Sequence, residues 1–434
     1  MHILKGYTKQ EISWMMYDWA NSAHSVIIVT LLPIFFDTVA GYTADSVSSM
    51  STWGYATSIA MLIVALAAPF LGVFGDIRGM RKKLFSFFML LGVAACAGMA
   101  FTPGMDFTSG PVAAGKVASL ILVLYIVSVI GFDASAIYYD AFLTDVTIED
   151  RMDKVSTMGY GLGYIGGSTI PLLIFLIMNL VGVPMLTCLA FVFGLTAVWW
   201  LAFSLPLLKN CEQTSGKPYE KGDVARSIKG VGTTIKEIIA NKPMLIYILS
   251  YFFYIDGVHT VISMATTYGT NLGLDSTGMM LALLLVQILG LPFCLLYIKC
   301  SEKFGARTMV GFGICVYMFI CIFAFFMNSL WQFWVLAVLR ATSQGGLQAL
   351  SRSMYGKLIP DKDRSGEFFG FFDIFGKFSS IMGPALVGVV SSMVANGMLG
   401  AQGLTAQTAT AEQIDAINAQ SSHYGILSII IIII

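Results

Sequence analysis

Two basic side chains stand inside apolar stretches of this sequence, where a charge requires a partner. Arg340 lies in WVLAVLRATSQGGLQALSR and Lys377 lies in FFDIFGKFSS. A guanidinium keeps its proton at any ordinary pH, so Arg340 needs a carboxylate from the protein or from a bound solute. Gln344 and Gln348 follow Arg340 at four-residue steps, which places the three side chains on one face of a helix. This row could bind the carboxylate of a small solute.

Three acidic residues occupy other apolar stretches: Asp133, Asp256 and Asp373. Ionisable residues in membrane helices usually face a partner, the bundle interior or a water-filled cavity. Asp133 is a candidate proton carrier, as is Asp256 with His259, because histidine titrates near physiological pH. The alternatives are structural: Asp133 in a fixed ion pair, Asp256 stiffening a helix with His259, or Arg340 paired permanently with Asp256 or Asp373.

Together, these basic and acidic side chains could bind a zwitterionic solute. An amino acid would offer its carboxylate to Arg340 or Lys377 and its ammonium group to an aspartate, and an organic anion would also fit the cations. A second polar row, Asp18, Asn21, Ser22 and Ser25, shares one helix face near the N-terminus. The predicted substrate-binding residues are Asn21, Ser25, Arg340, Gln344, Gln348 and Lys377, and the predicted proton-coupling residues are Asp133, Asp256 and His259.

The composition requires that these residues lie in a membrane. Of 434 residues, 57% are hydrophobic and 12% are charged, and the mean hydropathy is +0.78. A soluble domain carries about 25% charged residues, so the chain is expected to be a multi-pass membrane protein with the lipid bilayer as its solvent. The zero net charge argues against nucleic-acid binding.

Twelve membrane spans are predicted. Eleven are full-length, at roughly 14–37, 52–74, 84–102, 116–141, 156–179, 184–206, 243–268, 277–299, 308–327, 330–352 and 367–392. The twelfth begins near Tyr424 and would be truncated, since its ten residues reach only about 15 Å. The polar stretch 393–422 before it is predicted to be a loop, with a short surface helix at TAEQIDAINAQ as the alternative.

Basic residues cluster in alternate loops, and the side that carries them is called the basic face. They precede span 1, separate spans 2 and 3, 4 and 5, 8 and 9, and 10 and 11, and recur in the segment 207–242. By the positive-inside rule, this face is expected to be cytoplasmic, with the N-terminus in the cytoplasm. The expected location is the inner (plasma) membrane of a bacterium. The predicted domains are an N-terminal six-helix bundle (1–206), a cytoplasmic linker (207–242) and a C-terminal bundle (243–434).

Two loops share a pattern of an acid, a glycine and an arginine. GVFGDIRGMRKKL follows span 2, and IKCSEKFGART follows span 8, with Ile298 in place of the leading Gly72. The glycine permits a tight turn, and the acid can pair with basic groups or with a helix N-terminus. Asp140 and Asp145, near the basic face, could meet the basic loops. Gating roles are predicted for Asp18, Asp76, Arg78, Gly79, Arg81, Lys82, Asp140, Glu302, Arg307, Arg352 and Asp373.

The repeated loop resembles that of the major facilitator superfamily. Within it, YDWANSA (17–23), GYGLGYIGG (159–167), GGLQALSRSMYGKLIP (345–360) and EFFGFFDIFGKFSSIMGP (367–384) resemble the vacuole-effluxer-like permeases. That family includes bacterial members of unknown substrate and fungal vacuolar permeases associated with amino-acid efflux. The resemblance implies an all-α membrane protein with two six-helix bundles related by pseudo-two-fold symmetry, working by alternating access.

The sequence favours a proton-coupled secondary transporter of a small-molecule solute, acting as a monomer. It has no nucleotide-binding motif, and its four histidines show no HExxH spacing, so neither a catalytic site nor a metal site is predicted and the chain is not expected to be an enzyme. No cofactor is expected, apart from H⁺ or Na⁺ as a coupling ion. The alternatives are a cation-coupled sugar symporter and, in another class, a non-transporting receptor or scaffold on a carrier fold.

Overall fold

The computed structural model describes residues 4–43, 49–218, 223–404 and 408–433, and these are almost entirely helical. The α-helices in chain order are α1 (Lys9–Ala40), α2 (Ser49–Gly75), α3 (Arg81–Met99), α4 (Pro111–Val146), α5 (Met152–Gly163), α6 (Ile170–Leu180), α7 (Met185–Asn210), α8 (Asp223–Ala240), α9 (Lys242–Asn271), α10 (Ser276–Phe304), α11 (Ala306–Phe325), α12 (Leu330–Leu358), α13 (Ser365–Ala401) and α14 (Ala411–Ile433).

Eleven helical segments in the described ranges are long and apolar enough to cross a membrane. They correspond to the predicted spans 1 to 9, 11 and 12. Helix α12, the predicted span 10, has 29 residues but is not among the eleven, because Arg340, Gln344, Gln348 and Arg352 make it more polar. Helix α8 lies within the segment that was predicted only as a linker.

The prediction for the last span was wrong in its start and length. Helix α14 begins at Ala411 and has 23 residues, whereas the sequence suggested ten residues from Tyr424 after a loop. The added N-terminal turns of α14 contain many polar residues, yet they pack against the rest of the second unit. Ile417 and Ser422 are buried, and Asn271 of α9 donates to the Ser422 hydroxyl at 3.0 Å. Polar groups bonded to a neighbouring helix need no water, so a hydropathy criterion misses them.

The glycine-rich segment of span 5 contains a π-helix, Tyr164–Thr169, between α5 and α6. Helix α1 lies directly against it. A Cβ atom on Gly166 would fall 2.0 Å from the indole of Trp19, and one on Gly167 would fall 2.5 Å from the Trp19 carbonyl oxygen. The glycines of this segment therefore allow the close approach of a second helix.

The chain forms two compact units. The first unit comprises residues 1–238 and 352–374, and the second comprises residues 239–351 and 375–434. The ends of α12 and α13 on the basic face thus belong to the first unit, although they follow the linker in sequence. The largest buried side chains of the first unit include Trp14, Tyr139 and Trp200. In the second unit α14 packs against α9 and α11.

Candidate functional site

The loop after α2 binds the start of α13. Asp76 accepts hydrogen bonds from the backbone N–H groups of Gly366 at 2.7 Å and Glu367 at 2.8 Å. Helix α13 begins at Ser365, so the carboxylate caps unsatisfied N–H groups at the positive end of the helix dipole. The sequence predicted that this acid could meet a helix N-terminus, and the structure confirms that contact.

Arg81 joins two carboxylates below this cap. Its fully buried guanidinium lies 3.0 Å from Asp76 and 2.5 Å from Asp145, and it also donates to the hydroxyls of Ser215 and Ser365. Burial raises the pKa of Asp76 to about 7, although Arg81 and the two backbone N–H groups act in the opposite direction. One arginine cannot neutralise two buried carboxylates, which makes a proton on Asp76 physically reasonable.

Linker residues complete this cluster, and sequence reasoning missed them. Gln213 accepts from the N–H of Gly79 at 2.9 Å, and the N–H of Arg78 donates to the Lys217 carbonyl at 2.9 Å. Gly79 has φ +79°, a conformation in which glycine is favoured. The Arg78 side chain is exposed and that of Lys82 is half-buried. No motif marked the linker residues, because their partners lie more than a hundred residues away.

Helices α2 and α13 approach each other through glycines. A Cβ atom on Gly72 would lie 2.2 Å from the Gly366 carbonyl oxygen, and one on Gly370 would lie 2.4 Å from the Ala68 carbonyl oxygen. Backbone cannot yield to such overlaps as a flexible side chain can. The leading glycine of the loop pattern therefore serves close helix packing.

Arg352 of α12 lies in a second cluster, here called the Arg352 cage. Its guanidinium lies 3.3 Å from Asp18 and 3.1 Å from Asp140, and its Nε donates to the Ser156 hydroxyl at 3.0 Å. The ring centroids of three aromatic residues lie 4.7 to 5.2 Å from its Cζ: Trp14, Tyr139 and Tyr160. The sequence predicted gating roles for Arg352, Asp18 and Asp140, which the structure brings together, but it did not identify the rings.

Further ion pairs surround these clusters. Asp153 binds Lys357 at 2.7 Å and the Ser353 hydroxyl at 2.6 Å, so α12 is bonded to the start of α5. At the start of α13, Arg364 binds Glu237 of α8 at 2.6 Å and Glu367 at 3.0 Å. Ion pairs therefore join the end of α12 and the start of α13 to other parts of the first unit.

In the second unit, polar side chains of α9, α12 and α13 lie close together. Arg340 donates to Gln344 at 2.5 Å, Gln348 and His259 are 3.5 Å apart, and Lys377 lies close enough to His259 to interact with it electrostatically. The structure thus brings two predicted substrate-binding residues beside one predicted proton-coupling residue.

Asp256 bonds to α13. Its carboxylate accepts from the N–H of Gly383 at 2.9 Å, one residue before Pro384, and the side chain is fully buried. The second oxygen, Oδ2, accepts no hydrogen bond from the described residues. The described contacts connect Asp256 with Gly383 of α13, and its pairing with His259 stays a prediction.

The other predicted residues lie apart from these groups. Asn21 and Asp133 are buried and Ser25 is exposed, Asp373 is half-buried, and Glu302 and Arg307 are exposed. A cavity of about 240 Å³ in the second unit is lined by α9, α13 and α14 residues that include Asn271, Ser391 and Ser422. It contains none of the predicted substrate-binding residues. A smaller cavity of about 50 Å³ includes Arg340 in its lining.

Solved structures share this fold. The chain aligns with the proton:xylose symporter XylE at a TM-score of 0.66 and 13% identity, covering 97% of this chain and 94% of that one. It aligns with a bacterial homologue of the iron transporter ferroportin at a TM-score of 0.64 and 15% identity, covering 98% of each. These likenesses show the fold alone, and that fold is the major facilitator fold of multi-pass membrane proteins.

Sequence relatives define the family. The model described as "Vacuole effluxer Atg22 like" matches residues 41–149 and 144–400. An uncharacterized MFS-type transporter of Bacillus subtilis, YxiO, is 42% identical over 399 residues, which is 90% of each chain. Autophagy-related protein 22-1 of Penicillium rubens is 26% identical over 274 residues, 57% of this chain and 46% of that one, so the match spans about half of the fungal relative. The chain belongs to the vacuole effluxer Atg22-like family of major facilitator permeases.

Proposed function

We propose that this permease moves a small zwitterionic solute, an amino acid or a related compound, by proton-coupled alternating access. The observation that carries the proposal is the row Arg340, Gln344 and Gln348 with Lys377 beside His259 in the second unit. Arginine and lysine donate strong charge-assisted hydrogen bonds to a carboxylate, so this row could bind the carboxylate of a solute. The neighbouring amides supply oriented hydrogen bonds.

Counterflow into proteoliposomes tests the substrate assignment. The purified protein should exchange labelled amino acids in a saturable manner, and Arg340→Gln should reduce the rate about 10- to 100-fold, the loss expected for a hydrogen bond to a charged group. The control is Lys116→Gln, which alters an exposed basic residue outside the predicted binding and gating residues and should leave the rate unchanged. Equal rates in the two variants would exclude Arg340 from the site.

Asp256 is the proposed proton carrier. It is fully buried, and its Oδ2 can take a proton without giving up a hydrogen bond from the described residues. Protonation would also weaken its bond to the Gly383 N–H, since a carboxylate accepts more strongly than a carboxylic acid. That bond joins α9 to α13 at Pro384, where the proline frees a carbonyl and permits bending.

Substitution of Asp256 separates coupling from transport. Asp256→Asn should abolish the dependence of uptake on a pH gradient while leaving counterflow intact. The matched control Asp150→Asn, at an exposed position outside the predicted binding and gating residues, should preserve both. If Asp256→Asn uptake still follows the pH gradient, then another group carries the proton; if wild-type uptake follows a Na⁺ gradient instead, then Na⁺ is the coupling ion.

For gating, we propose that the basic face is cytoplasmic and that the Asp76 cap and the Arg352 cage break when this side opens. Both contacts attach residues 352–374 to the first bundle. The protein would act as a monomer in the plasma membrane, with the N-terminus in the cytoplasm.

Two other functions make different predictions. A sugar symporter is kept as an alternative because a proton:xylose symporter shares the fold, and it would exchange sugars but not amino acids. A receptor or scaffold would bind a ligand without any saturable flux.

A further inference from the structure

The Arg352 cage has the chemistry of a binding site for an organic cation. Two carboxylates, from Asp18 and Asp140, face a single guanidinium, and three aromatic rings surround it at cation–π distance. Arg352 itself is only 4% exposed. The Arg352 side chain thus makes the contacts that a bound organic cation would make: ion pairs, hydrogen bonds and contacts with ring faces.

Contacts that do not involve Arg352 hold part of the cage in place. Trp14 stacks on Tyr139 with a centroid distance of 4.4 Å, and its indole N–H donates to the Tyr139 carbonyl at 2.8 Å. A Cβ atom on Gly159 would lie 2.4 Å from Asp18 Oδ2, so the glycine makes room for that carboxylate. The walls come from α1, α4 and α5, whereas the occupant comes from α12.

An outward movement of α12 would take the Arg352 guanidinium away from Asp18 and Asp140. Asp18 is buried, and a buried carboxylate that loses its counter-charge is unfavourable, so a replacement cation would stabilise the open arrangement. Guanidinium and ammonium groups are the cations that such rings and carboxylates recognise.

We propose that the Arg352 cage binds the guanidinium or ammonium group of a transported solute, which takes the place of Arg352 when the basic face opens. This inference rests on the proposed function and narrows its substrate class to solutes with a side-chain cation, such as L-arginine. The solute and Arg352 compete for one site, so solute binding favours opening and solute release allows closure.

Thermal unfolding of Arg352→Ala in detergent tests the site directly. L-Arginine and ethylguanidinium should each raise the melting temperature of this variant by about 2–4 °C at saturation, whereas L-citrulline, the neutral analogue of similar shape, should not. The double variant Arg352→Ala with Tyr160→Leu should lose most of the shift. No shift with either cation, or an equal shift with citrulline, would overturn the proposal.

A second measurement keeps Arg352 in place, in case its removal prevents folding. Ser353 is buried and bonded to Asp153, so a cysteine in Ser353→Cys should react slowly with a maleimide. L-Arginine should accelerate labelling several-fold by displacing Arg352, and L-citrulline should not. A labelling rate that neither solute changes would contradict the proposed competition between the solute and Arg352.

Flux separates this inference from the proposed function. If the wild-type protein exchanges neutral amino acids while neither cation test succeeds, then the cage inference fails and the transport proposal stands. If the cations bind the cage but no amino acid is exchanged, then the cage is a binding site and the transport proposal fails.

Discussion

The two loops that share the acid–glycine–arginine pattern differ in what their side chains contact. In the loop after α2, Asp76 and Arg81 are buried and bonded to α13 and α4. In the loop after α10, Glu302 and Arg307 are exposed. Yet both loops turn at a glycine in the left-handed region, Gly79 with φ +79° and Gly305 with φ +85°. The repeat thus preserves the backbone turn, while the contacts depend on the partners nearby.

The residue at the first position of the pattern explains part of the difference in contacts between the two loops. Gly72 lies against the backbone of Gly366, so α13 can come close enough for its N–H groups to reach Asp76. The corresponding residue in the second loop is Ile298, which is buried and has a side chain that fills such a space. In this chain, the loop whose leading residue is glycine is therefore the one that binds the N-terminus of another helix.

The largest expected contrast is between the two arginines. Arg81→Ala should destabilise the protein by about 3–5 kcal/mol, because it leaves two buried carboxylates without their cation. Arg307→Ala should change stability by less than about 0.5 kcal/mol, as expected for an exposed side chain. Unfolding in mixed micelles measures both, and similar losses would show that the two loops are not as different as their contacts suggest.

The second contrast concerns two glycines of α2. Gly72→Ala should cost about 1–3 kcal/mol, because the new methyl group overlaps the Gly366 backbone. The control is Gly54→Ala, where a Cβ atom would meet nothing within 4 Å and alanine should stabilise the helix by about 0.5–1 kcal/mol. A Gly72→Ala protein as stable as the Gly54→Ala protein would rule out the close helix crossing.

The third prediction tests what the loops share. Gly79→Ala and Gly305→Ala should each cost about 1–2 kcal/mol, since both impose a left-handed conformation on a residue with a Cβ atom, and neither new methyl group has a neighbour within 4 Å. The two losses should be equal within error. A cost at only one glycine would mean that the turn is not the conserved element.

The last prediction is a pH dependence of the first loop. The pKa of Asp76 is raised from 3.8 to about 7, so the folded protein holds this proton more tightly than the unfolded chain. The resulting stability is complete below about pH 4 and is lost as the pH rises through about 7. The stability of the wild type relative to Asp76→Asn should therefore fall between these values. A relative stability that increases with pH would mean that the pKa is lowered.

The sequence predicted most of the fold because apolar length is a local property. It failed at α14, where Ser422 hydrogen-bonds within the second unit and polarity does not mean exposure. It identified Asp76, Arg81 and Arg352 because charges in or beside apolar stretches need partners. It could not predict the Arg352 cage, since Trp14, Tyr139 and Tyr160 are ordinary apolar-helix residues until three helices bring them together.

The central claim is that the contacts holding residues 352–374 to residues 1–238 break during each transport cycle. The most direct test is a reversible disulfide at the hydrogen-bonded pair Ser353 and Asp153, made as Ser353→Cys with Asp153→Cys after the non-buried Cys300 and Cys315 are changed to serine. Oxidation should abolish counterflow of the best-transported amino acid, and a reductant should restore it. Undiminished counterflow by fully cross-linked protein would contradict the account.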